Sequence, residues 1–202
     1  MAIKKRMVGI VGVGHVGAHV AFNLGMMGIA DEVLLCDLKE SKVTSEVQDL
    51  NDAVMYMPNH VIYKASDYAG LKDCDVIVNA VGDITLCASG SRDGELENSV
   101  KQVADYVPKV MAAGFHGLFV SITNPCDVVA NLIARKSGLP KGYVMGTGTL
   151  LDSSRLIHAI SGQTGLDSRG FTAFMLGEHG NSQIVPWSQM NILRQAAVGN
   201  GK

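Results

Sequence analysis

The segment Gly12-Val13-Gly14-His15-Val16-Gly17 constrains this chain more than any other stretch. It follows a short apolar run over residues 7–13 and opens helical spacing over residues 16–27. A G-x-G-x-x-G segment between a strand and a helix points to the pyrophosphate of a dinucleotide. Gly12 permits the tight turn, Gly14 lets the backbone approach the phosphates, and Gly17 lets the helix pack close to the strand. The helix N-terminus offers N–H groups and a positive dipole end to the same phosphates. Asp37 stands 20 residues after Gly17, at the end of a second strand over residues 32–37. A carboxylate there accepts hydrogen bonds from ribose hydroxyls and repels a 2′-phosphate, so NAD is favoured over NADP. The plain structural alternative for Asp37 is a strand-end cap. Of the two histidines on the first helix, His15 belongs to the motif, and both His15 and His19 read as packing or surface residues.

The rest of the chain repeats the alternation. Strand-like runs over residues 61–65, 75–81, 117–122 and 143–145 alternate with helical spacing over residues 39–57, 98–113 and 128–136. Pro108 is expected to kink the second of these helices. Asn124-Pro125 stops the fifth strand and Gly138 closes the helix that follows it. Val- and Ile-rich strands separated by helices predict an α/β fold, a doubly wound parallel Rossmann sheet. The character changes after Gly146. A helix over residues 151–161, a strand over residues 172–176 and a polar turn, Glu178-His179-Gly180-Asn181, read as the start of an α+β substrate domain. The expected domains are therefore residues 1–146 and 147–202.

Composition narrows the function classes. Hydrophobic residues are 47% of the 202, charged residues 18%, and the net charge is -2. That balance fits a soluble globular chain and gives no electrostatic case for nucleic acid or a membrane surface. Cys36, Cys74, Cys87 and Cys126 form no C-x-x-C pair, and the histidine spacing gives no zinc pattern, so no metal site is expected. Free thiols in a cytoplasmic chain are the simplest reading. The basic start and apolar stretch over residues 4–13 only superficially resemble a leader, because they run into the glycine motif.

Three further segments belong together. Gly148-Thr149-Leu150-Leu151-Asp152-Ser153-Ser154-Arg155 enters a helix with Asp152 and Arg155 on one face. Gly177-Glu178-His179-Gly180-Asn181-Ser182 follows a strand. Ser121-Ile122-Thr123-Asn124-Pro125 ends a strand at its carboxyl edge, where doubly wound sheets bind ligands. Each has a bland reading alone: a structural histidine, a surface ion pair worth little, a solvated loop. Beside a dinucleotide motif they read as one site.

These segments resemble those of the L-lactate/malate dehydrogenase superfamily, and most of all L-2-hydroxyisocaproate dehydrogenase and its lactate dehydrogenase relatives. The resemblance covers essentially the whole chain. It implies an NAD-dependent oxidoreductase acting on small 2-hydroxy or 2-oxo acids. It casts His179 as acid/base, Asp152 as the group that orients it, and Arg155 as the clamp on the substrate carboxylate. Asn124 falls to the substrate oxygen or the nicotinamide end. Arg92, in a loop over residues 82–98 flanked by hinge glycines Gly90 and Gly94, falls to the substrate carbonyl. Val81, Gly82, Thr123 and Asn124 join residues 12–17 and Asp37 around the cofactor. Gln48-Asp49-Leu50-Asn51 matches a subunit-contact helix, which implies a homo-oligomer, a dimer or tetramer.

The loop over residues 83–91, DITLCASGS, lacks the arginine of malate dehydrogenases, and its Thr85, Leu86 and Cys87 resemble the hydroxyisocaproate type. A monocarboxylic 2-oxo acid with an aliphatic or aromatic side chain is expected, pyruvate included. Ile157 and Phe171 stand where sugar-bisphosphate-activated relatives carry a basic residue and a histidine, so no such activation is expected. Chains of this family are longer by about 100 residues, the size of a small domain. A C-terminally shortened chain is therefore expected, with a dinucleotide-binding fragment lacking turnover as the alternative.

Overall fold

The structure, a computed structural model, describes residues 4–83 and 92–192, with only the main chain described for residues 92–94. It divides into two compact units, Met1–Gly146 and Thr147–Lys202. The first is a six-stranded parallel sheet. Its strands are β1 (Met7–Val11), β2 (Glu32–Cys36), β3 (Ile62–Ala65), β4 (Val76–Asn79), β5 (Leu118–Ser121) and β6 (Val144–Gly146), ordered β3-β2-β1-β4-β5-β6. The order reverses between β1 and β4, which pair in register Val8↔Val76 to Val11↔Asn79. Ligands bind doubly wound sheets at the carboxyl end of such a switch point.

Side chains alternate across the pleat, so the sheet feeds two cores. Val33 and Leu35 of β2 pack on one face with Ala21 of α1 (His15–Met26) and with Val43 and Leu50 of α2 (Glu40–Val54). Leu34 and Cys36 pack on the other face with Val103, Tyr106 and Val107 of α3 (Arg92–Ala112) and with Val129 and Ile133 of α4 (Cys126–Ser137). Burial on both faces explains why β2 reads as a continuous apolar run rather than an alternating one. The doubly wound reading holds, and most element ends fall within three residues of expectation.

Two expectations change. The helix after β4 starts at Arg92, six residues earlier than its apolar spacing indicates. Arg92 and Gly94 are therefore in α3, not in a loop, and Gly94 is no loop hinge. The fully buried face of α3 begins only at Ser99, so its polar first turns carry no apolar signal. The rest of that loop, including Thr85, Leu86, Cys87 and Gly90, lies outside the described residues.

In the second unit the expected strand over residues 172–176 is interrupted. Only β7 (Phe171–Thr172) pairs, with β8 (Asn191–Ile192), and an isolated bridge joins Leu176 to Ile184. Met175 explains the break. Its N–H donates to Ser153 Oγ at 2.8 Å and its carbonyl accepts from Thr149 Oγ1 at 2.6 Å. Both partners belong to the start of α5 (Leu150–Thr164) or its cap, so these main-chain groups are satisfied by side chains rather than by a neighbouring strand.

A buried polar chain lies under the carboxyl edge of the sheet. Tyr106 donates to Asn79 Oδ1 at 2.9 Å, and Asn79 Nδ2 donates to Ser121 Oγ at 3.0 Å. Tyr106→Phe removes one donor and strands a buried acceptor, which costs about 1–3 kcal/mol. Urea unfolding of the 202-residue chain should show that loss; an unchanged midpoint would mean that Asn79 finds another partner.

Candidate functional site

The first unit builds a phosphate cradle from the turn between β1 and α1. Gly12 sits at φ +95°, and a Cβ there would stand 2.5 Å from the Ala80 carbonyl oxygen. A Cβ on Gly17 would stand 2.0 Å from the Gly12 oxygen. Those two glycines are required by the chain's own packing. Gly14 differs: a Cβ there would meet nothing closer than Lys42 Nζ at 3.9 Å. The space above Gly14 at the α1 N-terminus suits a group from outside the chain, as a pyrophosphate demands.

Asp37 follows β2 beside this turn. Its Oδ2 accepts from Val13 N–H at 2.7 Å and its Oδ1 accepts from Lys39 N–H at 3.0 Å. The carboxylate therefore caps the glycine turn and the strand end, and it also lines a cavity of about 290 Å³. Each carboxylate oxygen accepts more than one hydrogen bond, so capping leaves room for a ribose hydroxyl. Val13 is buried, whereas His15 and Val16 are exposed at the start of α1. Val81 is buried and Gly82 exposed just beyond β4. Thr123 is buried and its hydroxyl donates to the Val81 carbonyl at 2.7 Å, tying the exits of β4 and β5 together. Asn124 is exposed, in a cis peptide with Pro125.

The cavity also uncovers residues that sequence reasoning missed. Asn98, Lys101, Gln102, Asp105 and Tyr106 of α3 line it, with Tyr68 opposite in the chain's third crossover. Their spacing follows one helix face, a signal present in the sequence but obscured by reading α3 only for its apolar side. Tyr68 stacks on Tyr106 with ring centres 5.7 Å apart, and burial pushes the Tyr68 phenol up to about 12, so it is neutral. Asn98 Oδ1 accepts from Gln102, but the buried Asn98 Nδ2 has no partner among the described residues. A buried unpaired donor beside a cavity is the mark of a site that a polar ligand completes. The open space at Gly14, the carboxylate at Asp37 and this donor together fit an adenine dinucleotide.

The second unit brings His179 and Asp152 together. His179 Nδ1 lies 2.6 Å from Asp152 Oδ2, with the two side chains 25% and 12% exposed. Burial alone would push the Asp152 carboxyl up. The hydrogen bond and charge of His179, with contributions from Gln183 and Arg155, hold it below the ordinary carboxylate range. Arg155 Nη1 sits 3.5 Å from Asp152 Oδ1, and its guanidinium is largely exposed. Gln183, also missed in the sequence, reaches Asp152 from beyond the histidine turn and keeps a buried Oε1 without a partner among the described residues. The histidine turn is itself positioned by Met175, anchored to Thr149 and Ser153 on either side of Asp152. Arg92 begins α3, and its side chain lies outside the described residues.

The family profile described as the NAD-binding domain of lactate/malate dehydrogenase matches residues 6–146. The chain belongs to the lactate/malate dehydrogenase family. It is 41% identical over 190 residues to an L-lactate dehydrogenase of Fusobacterium nucleatum, covering 94% of this chain and 59% of that protein. It is likewise 41% identical over 192 residues to L-lactate dehydrogenase 1 of Bifidobacterium longum, covering 95% and 60%. Among solved structures, it resembles MGS-M5, a lactate dehydrogenase from a Medee basin deep-sea metagenome library. That match has TM-score 0.88 and 33% identity over 96% of this chain and 61% of the other. The minor L-lactate dehydrogenase of Enterococcus mundtii matches with TM-score 0.88 and 32% identity, over 93% and 60%. The chain thus spans about 60% of the length of these relatives. It carries the family's NAD-binding domain, and NAD is its cofactor. No helix among the described residues is long and apolar enough to cross a membrane.

The depressed Asp152 carboxyl has a pH signature. A group whose folded pKa lies below its unfolded value stabilises the fold above the unfolded value, about 3.9 for Asp, and loses that effect as pH falls through the folded value. Asp152→Asn should therefore melt below wild type at neutral pH, the gap closing as pH drops past the carboxylate range. Melting temperatures of both chains from pH 7 to pH 3 measure this; a gap independent of pH would mean that the ionised carboxylate contributes nothing.

Proposed function

We propose that this chain serves an NAD-dependent L-2-hydroxyacid dehydrogenase, moving a hydride reversibly between NADH and a 2-oxo monocarboxylic acid. The observation that carries this reading is His179 Nδ1 held 2.6 Å from Asp152, on the helix that presents Arg155 one turn later. With Nδ1–H donating to Asp152, proton exchange with the substrate oxygen falls to Nε2. Asp152 fixes the ring and stabilises the imidazolium formed during alcohol oxidation. Arg155 meets the substrate carboxylate with its planar, bidentate fork. Asn124 orients the substrate oxygen or the nicotinamide end, and Arg92 polarises the carbonyl. Bound NADH supplies the hydride. Residues 12–17 hold its pyrophosphate, Asp37 its ribose, and Val81, Gly82 and Thr123 the sheet edge on which it lies. In this reading residues 147–202 are the first part of the substrate domain.

The substrate is monocarboxylic because residues 83–91 contain no arginine to pair a second carboxylate. Thr85, Leu86 and Cys87 support an aliphatic or aromatic side chain, as in the hydroxyisocaproate type, with pyruvate included. Buried Phe171 and the uncharged Ile157 support the absence of sugar-bisphosphate activation. Exposed Gln48 and Asp49 on α2, with Met55 and Tyr56 beyond it at 84% and 85% exposure, support a homo-oligomer through that helix. The free, buried thiols of Cys36 and Cys74 support a cytoplasmic setting.

The test is loss of NADH absorbance with pyruvate, 2-oxoisocaproate, phenylpyruvate and oxaloacetate side by side. Turnover with a monocarboxylic acid is expected, and His179→Ala should lower it roughly 10²–10⁴-fold. Preference for oxaloacetate would overturn the substrate reading. NADH fluorescence measures binding separately, and Asp37→Ala should weaken it about tenfold, as loss of a charged hydrogen bond does. Binding without turnover of any acid would leave only the dinucleotide-binding function.

A further inference from the structure

His15 and His19 stand four residues apart on α1, both exposed, and the side chain of neither is used by the acid–base or ribose chemistry above. Residues at this spacing are neighbours on one helix face. Their ring centres lie 4.3 Å apart with planes tilted by 57°. His19 Nδ1 is 2.6 Å from the His15 carbonyl oxygen. A carbonyl only accepts, so Nδ1 carries the proton of the neutral ring and Nε2 keeps the lone pair. A histidine whose second nitrogen is held by a carbonyl in this way is oriented as a metal ligand and made more basic.

We propose that His15 and His19 form a two-imidazole site for a borderline divalent cation: zinc, nickel or copper(II). A metal about 2.1 Å from one nitrogen of each ring lies ~3 Å from each ring centre, which puts two cis imidazoles roughly 4.5 Å apart. The observed ring-centre spacing of 4.3 Å leaves both rings within reach of one ion. Imidazole nitrogens favour these ions over magnesium or calcium, which prefer oxygen. The described residues contain no group of three or more His, Cys, Asp or Glu able to hold a metal, so water completes the coordination shell. Lys42, whose Nζ approaches the glycine turn at Gly14, adds a positive charge to this neighbourhood and limits affinity. The site does not depend on the dehydrogenase reading: it uses the side chains of His15 and His19 and no residue of the second unit, while residues 12–17 are proposed to meet the pyrophosphate at the same turn.

The test uses the 202-residue chain without nucleotide. Zinc chloride is titrated at pH 7.5 while the ring nitrogens of its six histidines are followed by NMR. The signals of His15 and His19 should shift together, before those of the other four, with one ion per chain. By calorimetry, His15→Ala and His19→Ala should each weaken zinc binding at least tenfold. Both positions are exposed, and circular dichroism of each variant checks that the fold persists. Zinc binding unchanged in either variant, first shifts at other histidines, or no binding at millimolar zinc would each overturn the proposal.

Discussion

The chain leaves β1 at the centre of the sheet and must turn back at once as α1, with β2 on one side and β4 on the other. At two points of that turn no side chain fits: Gly12 is pressed against the Ala80 carbonyl and Gly17 against Gly12 itself. The close return of α1 places its N-terminus over the carboxyl edge of the sheet. The same turn aims the Val13 amide at the carboxylate that ends β2. The position of the cradle, its polarity and its acidic neighbour thus come from one steric constraint. The buried chain from Tyr106 through Asn79 to Ser121 then holds the exits of β4 and β5 level with it.

The second unit solves a different problem, that of keeping a histidine in a polar turn at a fixed distance from a helix. Ordinary strand pairing does not do it, since β7 is only two residues long. The first turn of α5 does. Thr149 and Ser153 hold both main-chain groups of Met175, and between them in sequence Asp152 reaches His179. Orientation of the imidazole and attachment of its loop therefore have a common origin. Changes at Ser153, which is buried and looks like a filler residue, bear on the histidine although they do not touch it.

The sheet was legible because its strands are buried on both faces and read as unbroken apolar runs, bounded by glycines whose steric roles are specific. The pairing of His179 with Asp152 was legible only through resemblance, since the two stand 27 positions apart in sequence and no periodic signal brings them together. The two departures from expectation share a physical cause: polar groups with structural work leave no apolar signal. The first turns of α3 around Arg92 and Gly94 precede its buried face and so carry no apolar periodicity. Met175 continues the apolar run over residues 172–176, but its backbone partners are hydroxyls from another element, which the run does not disclose. Asn98 and Gln183 stayed hidden because an unpaired amide atom becomes visible only once its surroundings are in place.

Asp37 gives the coenzyme preference of this fold an unexpected rigidity. The group we propose to discriminate against a 2′-phosphate is also the anchor of the Val13 amide inside the glycine turn. Selectivity and scaffold are thereby written in a single carboxylate. A lineage drifting toward NADP cannot simply discard it, because a neutral replacement too short to reach Val13 loosens the surface on which either coenzyme rests. The drift has an open route only where another acceptor first takes over that amide, so the order of substitutions, more than their number, governs whether the coenzyme can change.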